Sequence, residues 1–146
     1  MPPPIICACI AALMYAAARL FPGLDFEMPW RLPVCALLFI VGAGLDVAGL
    51  LHFLKARTTV NPLDPSAATS LVTGGLYRFT RNPMYLGFAL LLLAWGTFLA
   101  NVAALLGVPA FILYMNRFQI APEERALEAR FGAEYSRYCA RVRRWI

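Results

Sequence analysis

The stretch Gly74-Gly75-Leu76-Tyr77-Arg78-Phe79-Thr80-Arg81-Asn82-Pro83-Met84-Tyr85-Leu86-Gly87 passes from a dense polar cluster straight into a long apolar segment. Arg78 and Arg81 carry planar donors suited to a carboxylate or phosphate. Asn82 adds an amide, and Pro83 suits the first turn of a helix. Gly74, Gly75 and Gly87 remove side chains where the backbone must bend or a neighbour must come close. A polar grip for a small charged ligand at the mouth of an apolar helix puts chemistry at a membrane surface.

The rest of the chain agrees with that setting. Its 146 residues are 61% hydrophobic and 14% charged, whereas soluble domains average about a quarter charged. One membrane domain, 1–146, is the expectation from length. The formal charge of +5 does not point to nucleic acid, because the basic residues cluster at the ends of apolar runs without interleaved aromatics. Cys7, Cys9, Cys35 and Cys139 form no CxxC pair and there is one histidine, so no metal site is expected.

Outward from the motif, the apolar runs define the fold class: all-α, a polytopic membrane protein with four transmembrane helices and a C-terminal interfacial amphipathic helix. Ile5 to Phe21 lacks the basic n-region of a secretory signal and reads as a retained first span, about 5–21. A polar connection with Asp25, Glu27, Trp30 and Arg31 leads to the second span, about 33–54. Within it Gly42, Asp46, Gly49 and Phe53 share one helical face, which is expected to pack on another helix. Asp46 has two readings there, a ligand-facing carboxylate or a packing acid. His52, near the membrane edge, is expected to be structural or interfacial. Met84 to Phe118 as one straight helix would exceed about 50 Å against a hydrocarbon core of about 30 Å. Asn101 therefore marks a hairpin between spans at about 84–100 and 102–118, and Pro109 should kink the latter. Pro122, Glu123 and Glu124 read as the start of the interfacial helix, about 122–141, which Gly132 divides and whose arginines suit anionic membrane lipids. Lys55, Arg57, Arg78, Arg81, Arg117 and the arginines from Arg125 to Arg144 lie on one side of this arrangement, with only Arg19 and Arg31 at the other. Both termini and the motif are thus expected to face the cytoplasm from the cell membrane.

The pattern Gly75-x-Tyr77-Arg78-x-x-Arg81-Asn82-Pro83-x-Tyr85-x-Gly87 resembles the signature of the isoprenylcysteine carboxyl methyltransferase family, which is similar in turn to the phospholipid methyltransferases. A second block, Glu123-Glu124-x-x-Leu127-x-x-x-Phe131-Gly132-x-Glu134-Tyr135-x-x-Tyr138-x-x-Arg141-Val142, resembles that family's C-terminal motif. Thr58-Thr59-Val60-Asn61-Pro62 looks like its upstream stretch, with less specificity. The resemblance implies an integral-membrane methyltransferase using S-adenosylmethionine, with a lipophilic small-molecule or lipid acceptor entering from the bilayer. It places Tyr77, Arg78, Arg81, Asn82, Pro83, Tyr85, Leu86, Gly87, Glu123 and Glu124 around the cofactor. Arg81, Glu124 and, more weakly, Arg141 become the candidate catalytic residues. Many relatives carry His where this chain has Asn82; the amide keeps a hydrogen-bonding role but cannot shuttle a proton.

Each block also has a plainer reading: positive-inside arginines at Arg78 and Arg81, and a glutamate pair that complements a helix dipole. Of the rival functions, a four-helix proton-coupled transporter built on Asp46 explains the spans but leaves both blocks idle. No Ser/His/Asp or Cys/His arrangement and no phosphate-cradling loop is present.

Overall fold

The computed structural model describes residues 1–55 and 71–146. Arg57, the Thr58 to Pro62 stretch and the side chain of Phe53 lie outside the described residues. The chain forms α1 (Pro3–Leu20), α2 (Arg31–Lys55), α3 (Pro83–Leu99), α4 (Val102–Leu105), α5 (Gly107–Tyr114), a π-helical turn (Met115–Ile120), α6 (Ala121–Phe131) and α7 (Ala133–Arg141). Short 3-10 turns at Pro22–Leu24 and Gly75–Arg78 shape the connections. The regular structure among the described residues is all helical.

Among the described residues, three helical stretches are long and apolar enough to cross a membrane: Pro3–Leu20, Arg31–His52 and Val102–Phe131. Pro83–Leu99 is equally apolar but has 17 residues, about 25 Å of helix. Leu37, Phe39, Ile40 and Val47 of α2 are exposed, as a lipid-facing surface requires. The protein is an integral membrane protein.

The hairpin between α3 and α4 falls at Asn101, the strongly polar residue near the middle of that apolar run. Ala100 takes a left-handed conformation (φ 50°) and its N–H closes α3 on the carbonyls of Gly96 and Thr97. Asn101, fully buried, then caps α4 by accepting from the Ala104 N–H at 3.1 Å. Its amide donates to the Phe21 carbonyl at 2.9 Å and to Asp25 Oδ1 at 2.7 Å, stapling the hairpin to the first connection. Asn101→Ala strands all three partners, and a loss of about 2–3 kcal/mol is expected in thermal or denaturant unfolding of the detergent-solubilised protein. Val102→Ala, beside it but exposed, should change stability by less than about 0.5 kcal/mol.

Two boundaries differ from expectation. The interruption ahead of Pro109 falls at Leu106, between α4 and α5; the proline has no N–H to bond toward Leu105, so regular pairing fails in the preceding turn. No new helix begins at Pro122. The backbone stays helical through Ile120 (φ −67°, ψ −46°), and the Met115–Ile120 turn widens to π geometry. A proline at the second position of α6 again removes a donor, and a one-turn π-bulge absorbs the loss without ending the helix. Glu123 and Glu124 thus continue a helix, which removes the dipole reading of the pair. Gly132, at φ 48°, does divide the last segment into α6 and α7.

The main core joins Ile6 and Met14 of α1 to Ala89 and Leu92 of α3 and to Ala104, Phe111, Met115 and Ile120 of the final helical run. Met14 fills the space beside Gly107 and Gly96. A second cluster, Tyr77, Tyr135, Tyr138 and Val142, lies under the motif.

Candidate functional site

α3 starts at Pro83, and the residues just before it are tied down by the segment that follows α7. The Arg81 N–H donates to the Arg143 carbonyl at 3.0 Å. The Asn82 amide and the Thr80 hydroxyl both donate to the Arg144 carbonyl, at 2.9 and 3.3 Å. Trp145 closes the loop, its indole N–H donating to Asn116 Oδ1 of the π turn at 3.0 Å. Asn82 therefore spends its side chain on this strap; as the residue capping α3 it makes no side-chain capping bond.

Held this way, the motif meets the acidic pair. Arg81 Nη2 lies 3.3 Å from Glu124 Oε1, and its Nη1 donates to Cys139 Sγ. Arg144 reaches the same carboxylate through Nε (3.0 Å) and Nη2 (2.5 Å). One helical residue back, Glu123 Oε1 accepts from the Tyr85 hydroxyl at 2.6 Å and from Gln119 Nε2 at 2.7 Å. Among the described residues, Arg81 Nε is buried without a hydrogen-bond partner.

Aromatic hydroxyls complete the surroundings. Tyr77 is buried, and its carbonyl accepts from the Tyr138 hydroxyl at 2.7 Å. Burial pushes the Tyr138 phenol up to about 12, against the opposing pull of Arg81. Burial likewise raises Tyr77, with Tyr138 and Glu123 adding to it, and raises Tyr135. All three are neutral donors near pH 7. The Arg144 guanidinium is held above its ordinary value, first by its hydrogen bond to Glu124.

Of the residues singled out from sequence, Arg81, Asn82, Tyr85, Glu123 and Glu124 converge here, and Tyr77 borders them. Pro83 is buried at the first position of α3, and Leu86 is half-buried beyond it. Gly87 faces α2, where a side chain would strike Asp46. Arg78 is exposed at the end of its 3-10 turn. Arg141 does not join the cluster: α7 turns Tyr135 and Tyr138 inward, which leaves Arg141 on the outer face with Glu134 and Arg137. Arg144, Gln119 and Cys139 take part without having been anticipated.

The family model described as phospholipid methyltransferase matches residues 30–134. The chain belongs to the phospholipid methyltransferase family. Over 126 residues it is 29% identical to Protein-S-isoprenylcysteine O-methyltransferase A of Arabidopsis thaliana, covering 84% of this chain and 62% of that protein. Over 63 residues it is 57% identical to an uncharacterized protein of Haemophilus influenzae, covering 43% of this chain and all of that one. The likeness to a methyltransferase of prenylated cysteine agrees with the two sequence blocks. The matched region holds the first block and the second as far as Glu134, and the transporter reading is left without support.

For this member of a membrane methyltransferase family, the matched region contains every residue of the Arg81 to Glu124 cluster except those contributed by Cys139 and the strap. The strap lies beyond it, and two of its contributions to the cluster are backbone carbonyls. Such contacts depend little on side-chain identity, so no sequence signal announces them.

Proposed function

We propose that the protein is an S-adenosylmethionine-dependent methyltransferase acting on a lipophilic acceptor, with Tyr77, Arg81, Asn82, Tyr85, Glu123 and Glu124 forming its cofactor site. The observation that carries the reading is the meeting of Arg81 with Glu124 and of Tyr85 with Glu123 across about forty residues of chain. The donor set suits the cofactor. Arg81 Nε is a buried donor in want of an acceptor, which a carboxylate fills. Glu123 and Glu124 suit an amino group or ribose hydroxyls, and the Tyr77 and Tyr85 rings suit a sulfonium. Bound there, the cofactor would supply an activated methyl group whose leaving group needs no proton.

The protein's part is then alignment and exclusion of water. Arg81 orients, Glu124 is fixed between two guanidiniums, and Tyr85 with Gln119 fixes Glu123. The arrangement across the membrane follows as part of the same reading: one domain with four crossings, α3 being the shortest, α7 lying along the interface, and the site and both termini cytoplasmic. The acceptor enters from the bilayer as the carboxylate of a prenylcysteine-like or other small hydrophobic molecule, or as a lipid amine.

Calorimetric titration of S-adenosylhomocysteine into the detergent-purified protein tests this directly. Saturable binding is expected, and its absence at millimolar ligand would overturn the assignment.

A further inference from the structure

α2 and α3 lie against each other along a seam of small residues. The Gly87 carbonyl comes to 2.9 Å of where a Gly42 side chain would start, and Met84 to 2.6 Å of the same point at Gly49. Asp46 stands between those two glycines. Its carboxyl fills the space that Gly87 leaves by having no side chain, with Cys7 of α1 within electrostatic reach.

This carboxyl is not satisfied. Asp46 Oδ1 and Arg81 Nε are the buried side-chain polar atoms without a hydrogen-bond partner among the described residues. Arg81 and Arg144 are committed to Glu124, so neither serves Asp46. Close helix packing does not explain the residue, since Ala or Ser would fill the seam without stranding an acceptor. Oδ1 is the buried oxygen of a side chain that is only half-buried, which leaves the carboxyl open on its other side.

Gly87 is about 6 Å along α3 from Pro83 at 1.5 Å per residue. Asp46 therefore sits one turn deeper in the apolar region than the Arg81-Asn82 motif, on the α2 side of α3. We propose that Asp46 binds the head of the lipophilic acceptor, and that this head carries a hydrogen-bond donor, an ammonium or a hydroxyl. A carboxylate head would bring acceptor oxygens to an oxygen that already lacks a donor; an ammonium or hydroxyl would satisfy it. This rests on the proposed methyltransferase function, whose acceptor class it narrows.

The test uses three probes of one chain length, dodecylamine, dodecan-1-ol and dodecanoate, titrated into the detergent-solubilised full chain. Binding is followed by calorimetry against matched micelle blanks. The wild type should bind dodecylamine or dodecan-1-ol at least about tenfold more tightly than dodecanoate. Asp46→Ala should erase that preference. Asp46→Asn should weaken the amine but keep the alcohol, because the amide still accepts, so the pair of variants tells which donor is preferred. S-adenosylhomocysteine affinity, measured alongside, should stay within about twofold in both variants, which also reports that they fold. Equal binding of the three probes by the wild type overturns the proposal, as does a preference that survives Asp46→Ala. If the wild type fails to bind S-adenosylhomocysteine yet shows the Asp46-dependent preference, the cofactor assignment fails and the Asp46 site stands.

Discussion

Arg81→Ala is expected to weaken S-adenosylhomocysteine binding by about 10- to 100-fold, the loss of one charge-assisted hydrogen bond worth roughly 1.5–3 kcal/mol. Arg81 joins the motif to both Glu124 and Cys139, and its remaining nitrogen is a buried donor without a partner among the described residues. Lysine has a single point of charge and cannot reproduce that fork, so Arg81→Lys should recover little. Arg144→Ala should cost less, because its side chain is 38% exposed where that of Arg81 is 15% and solvent screens the exposed partner. Arg78→Ala and Arg141→Ala, both at exposed positions, should leave affinity within about twofold. Unchanged affinity in Arg81→Ala, with saturable binding in the wild type, would remove the motif from the cofactor site.

Much of this arrangement is legible in the sequence because it depends on features that local chemistry encodes. Apolar run lengths locate the helices, and the lone Asn101 in a leucine-rich run locates the hairpin, since a buried amide there must find partners. Spacing alone puts Gly42, Asp46 and Gly49 on the face that packs on α3. What sequence does not announce is register and backbone. A π turn shifts the phase of the side chains that follow it, and a 3.6-residue pattern gives no sign of that; Pro122 accordingly looks like a beginning when it is a continuation. Arg141, Arg143 and Arg144 are equivalent as residue types. Only the end of α7 at Arg141 and the extended backbone at Val142 decide that Arg144 turns back to Glu124 while Arg141 faces outward.

Gly87→Val is expected to destabilise the protein by about 3 kcal/mol, at the upper end for overpacking a well-filled contact. A Cβ at position 87 would lie 2.8 Å from the Gly42 carbonyl oxygen and collide with the Asp46 carboxyl. The side chain could rotate away, but the carbonyl belongs to the α2 backbone and cannot, so the two helices must separate. Gly44→Ala is the control: it lies on α2 with nothing within 4 Å of its added carbon, and it should gain up to about 1 kcal/mol from helix propensity. Unfolding in mixed micelles measures both. Because Arg81 and Asn82 immediately precede α3, separation at Gly87 also draws the motif away from Glu124, and S-adenosylhomocysteine affinity should fall along with stability. If Gly87→Val matched Gly44→Ala in stability, the α2–α3 seam would be loose. The placement of Asp46 against α3, and of the motif that α3 carries, would then lose its structural support.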